Sequence, residues 1–172
     1  MPPWGRTASR HVIAFRSVNT PGAPDYHAGL QRHHLLPRQL LSRRCFGAMF
    51  ADVGRRRVGF DDFRRNGLLL PATESASVRT GMPLHRGPHP RYNEVVIARV
   101  GQIESHWSIA RYEDAESALR DALLRLHLLQ GALRRQLLAD HRRVLLNRRD
   151  PLGKGYDFSE LDAMAETLWS AQ

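Results

Sequence analysis

The sequence predicts a small α+β fold: two short strands bracketing an inserted helix, a helix after the second strand, and a C-terminal helical extension. Three observations carry this. The segment 30–36, in which leucines surround the pair His33-His34, and a short apolar run at 67–70 closed by Pro71 read as strands. Apolar residues recur at three and four over 37–53 and again from Pro90, the period of amphipathic helices. A leucine stripe then continues from Leu119 to beyond Leu137.

Taken in order, residues 1–28 hold Pro2, Pro3, Pro21, Gly22 and Pro24 with little periodicity, and are expected to form an arm or loop with one short strand at 11–15. Pro37 suits a first helical position, and Leu40, Leu41, Phe46, Met49, Phe50 and Val53 define an amphipathic helix of about four turns that Gly54 ends. Residues 55–65 read as a charged connector and 67–70 as a buried strand closed by Pro71. The Ser-, Thr-, Gly- and Pro-rich stretch 72–90 is expected to be loop. From Pro90, the stripe Tyr92, Val95, Val96, Arg99, Val100 and Ile103 predicts a helix ending near His106.

Farther on, Glu113, Asp114 and Glu116 place acid in the first turn of a helix whose apolar face is Leu119, Leu123, Leu126, Leu133, Leu137 and Val144, with Gly131 as a point of kinking. A loop at 147–155 and a final helix at 159–169, capped by Ser159, complete the chain. The organisation expected is an arm at 1–28, a central module at 29–106 and a helical extension at 107–172.

Composition removes several functional classes. At 172 residues with Cys45 as the lone cysteine, the chain is neither a disulfide scaffold nor a cysteine-ligated zinc module, and its length suffices for one core. No apolar run approaches the roughly 20 residues that span a bilayer, so no membrane role is expected. No secretory signal pattern is visible in the first twenty residues, so a cytoplasmic location is expected. The 26 basic residues, 25 of them arginine, outnumber 17 acidic ones. The excess is confined: residues 1–106 hold 16 basic and 7 acidic side chains, and residues 107–172 hold 10 of each. A polyanion facing the first 106 residues explains that distribution, and arginine grips phosphate through paired hydrogen bonds.

The chemistry lies in the histidines of that basic part: His33 beside His34 at a strand, Asn66-Gly67 before the second strand, and His85 and His89 at a helix entry. Phosphodiester hydrolysis needs a base for water near neutral pH, and histidine is the natural one. It also needs charge neutralisation at phosphorus, which a divalent ion on neutral imidazoles supplies. Adjacent histidines on an extended backbone point to opposite faces, so one can face a metal and the other an attacking water. An asparagine can bond backbone groups across the hairpin and fix the loop carrying the base.

Three blocks, Arg32-His33-His34-Leu35-Leu36-Pro37, Asn66-Gly67-Leu68-Leu69-Leu70-Pro71 and His85-Arg86-Gly87-Pro88-His89-Pro90-Arg91-Tyr92-Asn93, stand in one order. This order resembles the AHH group of the HNH/endonuclease VII superfamily, over roughly residues 29–105. The resemblance implies a ββα-metal (HNH, treble-clef-like) core and a metal-dependent endonuclease, often a bacterial toxin module. It implies His34 as general base, Asn66 as the residue orienting the catalytic hairpin, and His33 and His89 as ligands of one divalent ion (Mg, Mn or Zn). His85 is either a third ligand or a phosphate contact, and Tyr92 packs beneath the site. Arg32 stands where the family pattern has a small residue. Arg32, Arg38, Arg86 and Arg91 flank the blocks and are the candidate nucleic-acid contacts.

DNA is the favoured substrate, with RNA left open as the alternative, since no residue pattern reads a base edge or a 2′-hydroxyl. If the chain is a toxin, the resemblance implies an acidic immunity protein as partner, and export by a route other than Sec. Two rival functions are a non-catalytic nucleic-acid-binding module with a structural zinc, and a helical interaction protein working through the leucine-rich tail. The oligomeric state is not legible in the sequence.

Overall fold

The computed structural model describes residues 12–139, 145–152 and 163. Strands β1 (Leu30–His34) and β2 (Gly67–Pro71) pair antiparallel in a register running from Leu30↔Pro71 to His34↔Gly67. Between them lie 3-10 turns at Arg38–Ser42 and Arg44–Phe46 and three short helices, α1 (Gly47–Val53), α2 (Arg55–Val58) and α3 (Phe63–Asn66). After β2 come α4 (Glu74–Thr80), α5 (Pro90–Ala110) and α6 (Ala115–Leu138). The α+β class expected from the apolar runs and helical stripes is the class observed: a two-stranded hairpin with an inserted helical segment and a helix behind it.

Several elements differ from expectation for identifiable reasons. The helix expected over 37–53 is broken, because the five-residue step from Leu41 to Phe46 leaves the helical period and Arg43 is extended, with φ −80° and ψ 120°. Regular α-helix resumes only at Gly47. The connector at 55–65 folds into two single-turn helices: Gly59 ends α2 in the left-handed region at φ 78°, and the Asp62 carboxylate caps α3 by accepting from Arg64 N–H at 3.1 Å. Loop was expected throughout 72–90, yet Thr73 Oγ1 accepts from Ala76 N–H at 3.2 Å and starts α4, which Gly81 closes at φ 70°. There the serines and threonines serve as caps and helix surface rather than as loop. The strand expected at 11–15 is reduced to one bridge between Ala14 and Asp62, followed by a 3-10 turn at Phe15–Ser17; His11 lies outside the described residues.

Helix α5 starts at Pro90 as expected and runs one turn past His106. Helix α6 follows after the Asp114 side chain caps its first turn by accepting from Ser117 N–H at 2.9 Å, and it continues through Gly131 without interruption. Its buried stripe is Ala118, Ala122, Leu126, Leu129, Leu133 and Leu137, whereas Leu119 and Leu123 are half-buried flanks. The two alanines suit the close packing of α5 and α6. Val144 and the final helix expected at 159–169 lie outside the described residues, apart from helical Ala163.

One apolar core joins these elements, from Leu35, Leu36 and Leu40 after β1, through Met49 and Val53 of α1, to Val96, Val100 and Trp107 of α5 and Leu126 of α6. Each such burial stabilises by about 1.5–3 kcal/mol. Position 106 falls inside α5, and α6 also packs against α1, α2 and α3. Among the described residues no helix is long and apolar enough to cross a membrane.

Candidate active site

The site is built where β1, the 81–89 loop and the start of α5 meet. Because side chains alternate along a strand, His33 and His34 face opposite ways. His33 is buried and meets His85, His89 and Tyr92, with ring centroids 4.9, 5.8 and 4.9 Å away. His34 is half-buried and stacks on Phe15, with centroids 3.8 Å apart and planes 1° from parallel.

Backbone anchors hold the three-histidine cluster. His85 N–H donates to the carbonyl of Pro71 at 2.7 Å, tying the loop to the end of β2. His89 is the N-cap residue of α5, and its Nδ1 meets the Leu146 carbonyl at 2.9 Å. A carbonyl only accepts, so that contact requires the proton on Nδ1 and leaves Nε2 with its lone pair. Tyr92 O–H donates to the Leu35 carbonyl at 2.8 Å, locking the first turn of α5 to the residue that follows His34. Burial pushes the Tyr92 phenol far up, so it stays a donor.

The cluster is a set of unused donors to a metal. His33 Nε2, His85 Nδ1 and His89 Nε2 are buried without a hydrogen-bond partner, and the three histidines offer ligand nitrogens within 4.8 Å of one another. Orphaned buried nitrogens are costly unless something binds them. Burial, then the neighbouring imidazoles, holds His33 well below the usual histidine range. Burial and His89 lower His85 to about 4, and burial lowers His89 against the opposing Leu146 contact. All three are therefore neutral at pH 7, the protonation state that ligates metal. The residues fit a divalent ion, and His85, left between two roles by the sequence, sits beside His33 and His89.

His34 is also neutral at pH 7. Burial and Arg38 lower it to about 4, Asp61 opposes them, and Arg32 lowers it further. Asn66 is fully buried one residue before Gly67, the strand partner of His34: its Oδ1 accepts from Leu36 N–H at 2.7 Å, and its Nδ2 donates to the carbonyls of Leu36 (3.1 Å) and Phe60 (3.2 Å). Its Oδ1 also accepts from Gln130 Nε2 at 3.3 Å, so both ends of the Asn66 amide are bonded within the protein. Gly67, paired with His34, has an ordinary φ, but a Cβ there would lie 2.2 Å from Phe63 Cδ2. The Phe63 ring occupies that space and meets Phe15 edge-on at 5.2 Å.

The four arginines are all exposed: Arg32 on β1, Arg38 in the turn after it, Arg86 between the loop histidines, and Arg91 in the first turn of α5. Arg32 Nη1 donates to the Phe15 carbonyl at 2.7 Å. Sequence reasoning missed Phe15, the Leu146 carbonyl and Asp150. The Asp150 carboxylate is buried and accepts from Leu84 N–H at 2.9 Å and Leu152 N–H at 3.0 Å, beside Ser77 Oγ at 3.4 Å. An Asp-Pro turn was the only local signal for it. His27 is exposed, His106 approaches Asp121 at 3.6 Å and His127 contacts Arg65 at 3.0 Å, so none joins the cluster; His141 lies outside the described residues.

In comparison with protein families, the sequence model of a nuclease family of the HNH/endonuclease VII superfamily with conserved AHH matches residues 14–130. Comparison with curated proteins and with solved structures returns no match.

Proposed function

Because this chain belongs to the AHH family of the HNH/endonuclease VII superfamily and is a nuclease with a nucleic-acid substrate, we propose that it is a metal-dependent endonuclease that hydrolyses phosphodiester bonds of DNA with His34 as general base. The observation that carries the proposal is the division of labour on β1: His33 joins His85 and His89 on one side, each neutral and each with one buried nitrogen lacking a hydrogen-bond partner, and His34 stands on the other.

His33, His85 and His89 would hold the divalent ion, which supplies neutralisation of charge at the phosphate when bound. Neutral His34 accepts a proton from the attacking water as its oxygen bonds to phosphorus and the opposite ester P–O bond breaks. Asn66 keeps the hairpin end rigid during this step. Arg32, Arg38, Arg86 and Arg91 are the proposed contacts to the nucleic-acid backbone. A structural zinc is closed by four protein ligands, whereas three donors converge here among the described residues, which favours an open site over the zinc-module alternative.

In the test, supercoiled plasmid and a structured RNA are incubated with the protein, with and without chelator, before Mg, Mn or Zn is restored separately. Plasmid nicking that chelator abolishes and one of the metals restores is expected. His34→Ala should lose nicking while still binding metal; nicking at the parental rate overturns the assignment of the base. Cleavage of RNA alone overturns the choice of DNA. A toxin setting, with an acidic immunity protein, is proposed from the family resemblance and the basic charge, and expression of the chain and of His34→Ala in bacteria tests it, with growth arrest by the parent alone expected.

A further inference from the structure

We infer that Phe15, held in place by Arg32, is a positioning residue that fixes the plane of the His34 imidazole. The inference rests on His34 being the base, and it assigns a role to the arm and to the one position where the chain departs from the family pattern.

The geometry is specific. Residues two apart on a strand share a face, so Arg32 and His34 project from the same side of β1. Phe15 is engaged at both ends there: its carbonyl accepts from Arg32 Nη1 at 2.7 Å, and its ring lies parallel to His34 at 3.8 Å. The arm is fastened independently just before it. Phe63 N–H donates to the Ile13 carbonyl at 2.7 Å, and Ile13 N–H donates to Asp62 Oδ1 at 3.2 Å. The Phe63 ring backs the stack edge-on at 73°.

The physical need is a rotational one. The torsion joining an imidazole to its Cβ is broad, so a half-buried histidine on a strand end samples many ring planes. A general base works only when its nitrogen points at the proton it removes. A flat ring lying parallel to the imidazole restricts that torsion without occupying its edge, where the nitrogens are. A small residue at position 32 has no group to reach the Phe15 carbonyl, so the arginine accounts for the departure from the family pattern.

The experiment compares the full chain with Phe15→Leu, Phe15→Tyr, Arg32→Ala and His34→Ala. Circular dichroism and thermal midpoints report folding, carbon–proton NMR of the histidine rings reports the stack, and plasmid nicking with Mn2+ reports kcat and KM. The His34 ring protons, assigned by their loss in His34→Ala, should lie upfield in the parent because of the Phe15 ring current. Phe15→Leu should move them downfield and lower kcat by roughly ten- to a hundredfold with KM within about twofold. Phe15→Tyr should preserve both, and Arg32→Ala should shift both in the direction of Phe15→Leu.

Parental ring shifts and parental kcat in folded Phe15→Leu overturn the inference. Parental ring shifts and parental kcat in folded Arg32→Ala overturn the hold of the arginine on Phe15 and leave it only the nucleic-acid backbone contact proposed above. If Phe15→Leu does not fold, the ring shift of Arg32→Ala decides, an unmoved signal counting against the inference. Failure of the base assignment is separable: it appears as full nicking by His34→Ala, whereas the ring shift judges the stack without any activity.

Discussion

The Asn66 side chain clasps both backbone groups of Leu36, accepting from its N–H at 2.7 Å and donating to its carbonyl at 3.1 Å at the end of the hairpin from which the inserted segment leaves and returns. The two residues are 30 positions apart, so the clasp closes the whole inserted segment onto the site. Asn66→Ala strands two buried groups of Leu36 and the Phe60 carbonyl. The expected loss is about 2–4 kcal/mol, read from urea unfolding, with metal-supported nicking falling in the variant even where it is folded. Asn66→Asp should not rescue, because a carboxylate keeps the acceptor but points an oxygen at two carbonyls.

Asp150 does for the histidine loop what Asn66 does for the hairpin. Asp150→Asn places an amide nitrogen where donors now converge, and the Leu84 N–H or the Leu152 N–H loses its acceptor. Zinc affinity measured by calorimetric titration should fall about tenfold or more, the range seen for groups that orient metal ligands. Unchanged affinity would show that the loop holds its histidines without the 145–152 segment.

Acid should destabilise the metal-free protein through its histidines. Burial holds His33, His85 and His89 below the ordinary 6.5, with His85 at about 4, so between those values the unfolded chain binds protons that the folded chain refuses. Their contribution is fully present above pH about 6.5 and is lost as the pH falls toward 4. The urea midpoint of chelator-treated protein should be level from pH 7 to 8 and decline below 6.5, and His85→Gln should make the decline shallower. An equal decline in that variant would remove His85 from the account.

The packing of Gly67 gives a prediction opposite to the usual one for a glycine with ordinary φ. Adding a methyl at 67 normally stabilises by narrowing the unfolded ensemble. Here the Cβ would strike the Phe63 ring, so Gly67→Ala should cost about 1–3 kcal/mol. In a Phe63→Leu background the cost should shrink, and a double-mutant cycle by urea unfolding measures the difference.

Much of the site was legible because it is written in short spacings. The opposite facing of His33 and His34 follows from strand period, and Pro90 marked the start of the helix that His89 caps. The break at Arg43 was visible only as a five-residue step among otherwise helical spacings. Helix α4 was hidden because serine and threonine favour loops and helix caps alike, and composition does not separate the two. Phe15, Leu146 and Asp150 left almost no trace, since their contacts to His34, His89 and Leu84 span 19, 57 and 66 positions and no local pattern encodes such a pairing.

The alternation along β1 also makes the pairing itself part of the chemistry. Were the strand to slide by one residue against β2, every side chain would change face. His34 would enter the three-histidine cluster and His33 would take the outer position, so a misregistered hairpin keeps its histidines and loses the division of roles proposed for them. The Leu35 N–H to Asn66 carbonyl bond at 2.8 Å and the clasp on Leu36 are the pins against that slide. For this protein, fidelity of strand alignment and competence to cut are one requirement.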